Sequence, residues 1–206
     1  MSESTTPLTL ASPLPPAIES SLSTVEMLSH VLRTRRTIGA FTPDGVDPAI
    51  VRAALELACW APNHRKTEPW RFVDIGPETR AQIVALNSQL IAARKGPEAA
   101  ETKQRQWSRI PGWLAVTCVR NADPLIAEED YAACCCAIQN FTLALWSHGV
   151  GSKWSTGDVT RTPEFHELLQ IDPSRERMVG LIWYGYPDSV PQQSRRPLDE
   201  VTRMLP

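Results

Sequence analysis

Three arginines and two threonines stand within five residues, at Arg33-Thr34-Arg35-Arg36-Thr37. Guanidinium groups make paired, charge-assisted bonds to phosphate oxygens, and a neighbouring hydroxyl adds a short donor. The segment is therefore either a phosphate clamp or a basic helix end that complements the helix dipole; from spacing alone the second is favoured. A second cluster runs Trp60-Ala61-Pro62-Asn63-His64-Arg65-Lys66-Thr67-Glu68-Pro69-Trp70-Arg71-Phe72. It is a polar, cationic loop between two indoles, fit either to hydrogen-bond the edge of a planar ring or to serve as an ordinary connection. A third, Gly149-Val150-Gly151-Ser152-Lys153-Trp154-Ser155-Thr156-Gly157, joins glycines that admit close backbone approach to a lysine and two hydroxyls. It follows a helix rather than opening one, so it is not the dinucleotide fingerprint. A fourth, Ser194-Arg195-Arg196-Pro197-Leu198, is a basic linker or the second half of a phosphate clamp.

Other chemistries find no motif. A nucleophile elbow, a phosphate-binding Walker loop and a zinc-protease helix are absent. Cys134, Cys135 and Cys136 are adjacent on a helical stretch, so their side chains diverge by about 100° each and cannot meet on one metal. No metal site is expected, and the cysteines read as small core residues of a reducing compartment.

The elements that must carry these clusters can be traced from periodicity and punctuation. Ser23 and Glu26 have capping-box spacing, and Val25, Leu28, Val31 and Leu32 share one helical face ending near Arg33–Arg36. Asp47-Pro48 opens a second helix with Ile50, Val51, Ala54, Leu55 and Ala58 on its apolar side. Strands are expected at 70–75, 113–119 and 178–184, with a short one at 152–156. Helices are expected after Pro77, from Asp123-Pro124 to Ser147, and after Thr162-Pro163. Residues 95–112 read as a charged, irregular excursion, and 198–205 as a last short helix. The result is a mixed fold with one sheet layer packed by helices.

The chain has 206 residues, enough for one domain over 23–206, preceded by a Ser/Thr/Pro-rich arm, 1–22, expected to be mobile. A net charge of -2 and a pI near 6.1 give no electrostatic footprint for nucleic acid. No apolar run approaches the roughly 18 residues of a membrane span, and the N-terminus lacks a secretory pattern, so a cytoplasmic location is expected. The basic residues are 17 Arg against 4 Lys, a bias toward forked anion ligation.

Taken together and in order, Arg35-Arg36-Thr37, Trp60-Ala61-Pro62, Pro69-Trp70-Arg71-Phe72, Gly149-Val150-Gly151 and Arg195-Arg196-Pro197-Leu198 resemble the FMN-dependent nitroreductase family over about residues 25–205. The resemblance implies an α+β fold, a central, mainly antiparallel sheet flanked by helices, and an intertwined homodimer with FMN at the subunit interface. It implies that Arg35, Arg36 and Thr37 grip the FMN phosphate and ribityl chain and that His64 contacts the flavin. Trp154, Ser155 and Thr156 lie along the ring, and Arg195 or Arg196 reaches the phosphate. Leu145, His148 and Gly149 match a region assigned to the nicotinamide donor more weakly, and Lys66 falls at a loop position that could touch flavin or substrate. Gly39 stands where many members carry an arginine.

The activity so implied is an oxidoreductase that passes electrons from NAD(P)H through FMN to nitro, quinone or similar small acceptors in ping-pong order. The flavin N5 takes the hydride, so no catalytic side chain is required. Lys153, Arg65 and Lys66 are candidates for the cation that stabilises charge at flavin N1 and C2=O. The alternatives are a flavin-storage protein without turnover, or a branch that fragments flavin or removes halogens.

Overall fold

The structure is a computed structural model and describes residues 23–206. The expected arm, 1–22, lies outside the described residues.

Ser23 caps α1 (Thr24–Thr34) through the expected box: the Glu26 amide donates to Ser23 Oγ at 3.3 Å, and the Ser23 amide donates to Glu26 Oε2 at 2.8 Å. The apolar face of α1 is left uncovered in the protomer, with Val25, Leu28 and Leu32 all exposed. Asp47 caps α2 (Pro48–Ala58), which turns Val51, Ala54 and Ala58 inward. β1 is Trp70–Asp74. Then come α3 (Pro77–Lys95) and α4 (Pro97–Trp107), divided by Gly96.

Helix α4 replaces the irregular excursion expected at 95–112. Its residues are mostly strong helix formers, but only Ala100 and Trp107 are buried. Two apolar anchors seven residues apart are too sparse a stripe to read as periodicity, yet they suffice to dock the helix against α3.

β2 (Gly112–Val119) is followed by α5 (Pro124–Ser147), capped by Asp123, then β3 (Gly151–Ser155), α6 (Pro163–Leu168) and β4 (Glu176–Gly185). The sheet order is β1-β2-β4-β3, antiparallel throughout. Alternation along β2 splits the core in two. Leu114, Val116 and Cys118 pack with α2 and α5, while Trp113 and Ala115 pack with α3 and α6. Trp107, Trp113 and Trp183 meet edge-on or tilted on that second side, with ring centroids 4.8–5.6 Å apart.

Cys134 is a free, fully buried thiol that donates to the Thr117 carbonyl at 3.9 Å; the neighbouring Cys118 thiol and burial push it up, so it is an inert core group. Cys59, by contrast, is exposed. Among the described residues no cluster of metal-ligating side chains forms, and no helix is long and apolar enough to cross a membrane.

The expected terminal helix, 198–205, is a single turn at Leu198–Glu200. Leu198, Val201, Met204 and Leu205 are all exposed, so no burial offsets the cost of nucleating a helix there.

Candidate functional site

Two glycines let the first arginine cluster reach the sheet. Gly149, at φ 74°, ends α5 in the left-handed region. A Cβ on Gly151 would overlap Ile38, so glycine there lets the chain after α1 lie directly beside β3. Thr37 forms a parallel bridge with Ser152, and the Ile38 amide donates to the Ser152 carbonyl at 3.0 Å. Arg35-Arg36-Thr37 is thereby fixed against the strand that carries Lys153, Trp154 and Ser155. Ser152 Oγ is buried at this junction and makes no hydrogen bond.

The arginines then divide. Arg36 turns back on its own helix end, with Nη1 donating to the carbonyls of Arg33 at 2.7 Å and Arg35 at 2.9 Å. That is the capping role the spacing favoured. Arg35 is half-buried and free of carboxylate partners among the described residues. Burial, then the positive charges of Arg195 and Arg36, hold its guanidinium below the usual arginine range. The charge of Arg195, 160 positions along the sequence, thus acts on Arg35, and neither arginine is paired with a carboxylate among the described residues. Both Arg195 and Arg196 are exposed in the tail, and Arg195 Nη1 donates to the Ser194 carbonyl at 3.1 Å; of the two, only the charge of Arg195 acts on Arg35.

A cavity of about 480 Å³ is walled by Lys153 of β3 and Gly39 of the segment after Arg35, with Gly157, Asn87, Lys103, Gln106 and Trp183 among others; Arg35 and Arg195 do not line it. Two of its groups, Asn87 Nδ2 and Trp183 Nε1, are buried donors without partners. An unsatisfied buried donor costs about 1–3 kcal/mol, so an acceptor brought to either group would recover that cost. Lys153 Nζ lies 5.2 Å from the Trp183 ring centroid and adds a cation. On the opposite face of β3, Trp154 lies across Gly180, where a Cβ would collide with its indole, and donates to the Val179 carbonyl at 3.3 Å. Ser155 is half-buried and Thr156 exposed at the end of the strand.

Asn87, Lys103, Gln106 and Trp183 were not singled out from sequence. The mixed polar and basic face of α4 was the available signal, hidden by reading that segment as irregular.

The loop 63–68 is built elsewhere. Arg65, Lys66 and Glu68 hold positive φ (66°, 54° and 44°), a strained state for residues with side chains. Asn63 Oδ1 accepts from the Glu68 amide at 2.7 Å, and Thr67 hydrogen-bonds the buried Asp130. His64 Nδ1 sits 2.9 Å from Glu129 on α5. Thr34, beside Arg35, is bonded by Trp146 Nε1 at the other end of α5, at 2.9 Å. Glu129 and Trp146 are seventeen residues apart on one helix, roughly 25 Å. Within a protomer, therefore, His64 and Lys66 do not join Arg35, Thr37 and Ser155. The weaker nicotinamide assignment also changes. Leu145 is fully buried in the core and offers a ligand no surface, while His148 is the helix cap and only half-buried, as is Gly149.

A model of the nitroreductase family matches residues 32–186, most of the chain. The chain belongs to the nitroreductase family. This member is 32% identical over 174 residues to YfhC of Bacillus subtilis (strain 168), provisionally named an NAD(P)H nitroreductase, covering 82% of this chain and 89% of that one. A nitroreductase-like protein from Bacillus cereus superposes with a TM-score of 0.78 at 29% identity, over 92% of this chain and 99% of the other. A provisionally named nitroreductase from Desulfovibrio desulfuricans, solved in complex with FMN, superposes with a TM-score of 0.69 at 26% identity, over 87% and 96%. The nitroreductase match spans every element that carries the site, from the end of α1 to β4; the segment with Arg195 lies beyond it.

Proposed function

We propose that this enzyme is an FMN-dependent oxidoreductase that takes electrons from NAD(P)H and passes them to nitro, quinone or similar small acceptors. The observation that carries the reading is Arg35, unpaired by any described carboxylate and under the charge of Arg195, fixed through Thr37 to the same strand whose Lys153 walls a cavity with unpartnered buried donors in its lining residues. A phosphate dianion satisfies the first feature, and a flat ring edged with carbonyls and ring nitrogens satisfies the second. The residues present therefore fit FMN.

Arg35 and Arg195 would hold the phosphate, with Thr37 along the ribityl chain. Asn87 and Trp183 would orient the ring through their donors, and Lys153 would stabilise negative charge at its pyrimidine edge by preorganised electrostatics. Bound FMN supplies the chemistry of hydride acceptance from the donor and its release to the acceptor. Trp183 and Ile110 give the cavity part of its apolar wall. A single cavity serves donor and acceptor in turn, which is a ping-pong order.

His64 and Lys66 lie too far along α5 to reach this ring from their own protomer. A homodimer brings the loop of one copy to the Arg35 side of the other. The exposed apolar residues of α1, with Leu57, Trp60 and the tail, provide the surface for that association.

The test is absorbance. Purified protein is expected to be yellow and to lose its colour under anaerobic NADPH or NADH, then regain it with a quinone or nitroaromatic. Protein that neither carries nor takes up FMN refutes the proposal. Yellow protein that no nicotinamide bleaches is a storage protein.

A further inference from the structure

A second cavity, of about 940 Å³, opens beside the first and shares Gly39, Ala40, Gln106 and Ile110 with it. Three arginines reach it from separate places: Arg80 on α3, Arg105 on α4 and Arg109 in the turn before β2. None is ion-paired with a carboxylate among the described residues. Arg80 is half-buried, with Nη1 on the Pro111 carbonyl, so its charge is fixed in place. Arg105 and Arg109 are exposed and four residues apart, and Thr102 and Ser108 add hydroxyls. The one carboxylate of the lining is Asp188, whose amide is tied to the Ala40 carbonyl at 3.1 Å.

We propose that this cavity is the anion subsite of the electron donor and that it selects NADPH over NADH. The inference rests on the reading of the first cavity as the flavin site. A donor that reacts over the ring must send the rest of its length outward, and the four shared wall residues make the arginine cavity a continuous path for it. Two donors differ there only by a phosphate monoester. Such a group carries close to two negative charges and three terminal oxygens. Pyrophosphate oxygens, common to both donors, carry one charge per phosphorus. Forked guanidinium groups converging from three directions match the monoester better than they match a ribose hydroxyl, which calls for a carboxylate acceptor. With three cations to one carboxylate in the lining, the balance favours the phosphorylated donor.

The experiment uses the full-length FMN-loaded protein and two probes that need no turnover. Adenosine 2′,5′-bisphosphate and 5′-AMP are titrated calorimetrically at low and moderate salt. The bisphosphate is expected to bind at least tenfold more tightly, with an affinity that falls as salt rises. The double variant R105A/R109A is expected to lose most of that difference, while Arg52→Ala on the outer face of α2 keeps it. In stopped-flow reduction, the ratio of flavin bleaching by NADPH to that by NADH at low donor concentration should fall in the double variant by a similar factor. Equal affinity for the two probes, or an unchanged bisphosphate affinity in the double variant, overturns the subsite and leaves the flavin reading standing. Flavin that neither donor bleaches overturns the reductase reading and, with it, the donor assignment.

Discussion

Arg35→Ala separates a binding cation from a structural one because the two roles predict opposite signs. Arg35 is half-buried, faces the charges of Arg195 and Arg36, and pairs with no carboxylate. Removing it from the ligand-free protein relieves repulsion and leaves no partner stranded. Apoprotein stability should therefore hold within about 0.5 kcal/mol or rise. With FMN bound, the same change deletes a charge-assisted hydrogen bond to a dianion, a contribution of about 1.5–3 kcal/mol. The FMN dissociation constant should then rise roughly 10- to 150-fold. Arg36→Ala should do the reverse. It removes two bonds to the carbonyls that end α1, lowers apoprotein stability by about 1 kcal/mol, and changes FMN affinity less than about threefold. Thermal melts of apoprotein and FMN fluorescence quenching measure the two quantities independently. A destabilised Arg35→Ala apoprotein with native FMN affinity would refute the reasoning, since it would make Arg35 a structural residue like its neighbour.

Two further outcomes follow from packing and titration. Burial, then the neighbouring Asp74 charge and its hydrogen bond, push the Tyr184 hydroxyl well above the usual tyrosine range. The unfolded chain releases this proton first, near pH 10. Tyr184 thus contributes stability that is present below that value and lost as pH rises beyond it. Tyr184→Phe should flatten the alkaline fall in urea midpoint between about pH 9.5 and 11.5; an unchanged slope contradicts the assignment. Truncation after Pro187 removes Arg195 and the exposed apolar residues Val190, Leu198, Val201, Met204 and Leu205. It should shift sedimentation toward monomer and weaken FMN retention together; an intact dimer with full retention argues against both roles of the tail.

The fold was legible where local chemistry and burial agree. Ser23, Asp47, Asp123 and Thr162 each begin a helix where the sequence places a cap, because a side chain that satisfies orphan amides acts over three residues. β2 and β4 were legible because both faces are buried and their apolar runs are continuous. Helix α4 was not legible, since its anchors, Ala100 and Trp107, stand among surface residues. Of the site, the residue types of Arg35, Thr37 and Lys153 were visible. Their gathering was implied only by the family resemblance and not by spacing, because it depends on Gly151 admitting Ile38 and on a tail 160 residues away. The orphaned donors Asn87 and Trp183 could not be read at all, since nothing in a one-dimensional pattern records that a donor lacks a partner.

The loop around His64 poses the sharpest question, because its conformation is expensive and its own protomer gains no site from it. Three residues with side chains sit at positive φ, each costing about 1–3 kcal/mol, and Asp130 is buried to tie Thr67 down. Glu129 holds His64 by Nδ1, which leaves Nε2 as the free nitrogen. A surface so fixed, roughly 25 Å along α5 from the Arg35 end, fits a ligand held by the opposite copy. Complementation decides it. Arg35→Ala and His64→Ala homodimers are each expected to retain FMN poorly. When the two are unfolded, mixed and refolded, random pairing makes half the molecules heterodimers. If each site draws Arg35 from one chain and His64 from the other, every heterodimer holds one intact site and one doubly altered site. About one site in four then regains native FMN affinity, seen as a tight phase in the titration of the mixture. If Arg35 and His64 served one site within a protomer, every site in every molecule would carry one defect and no tight phase would appear. Its absence in a mixture shown by mass spectrometry to contain heterodimers would rule out the shared site.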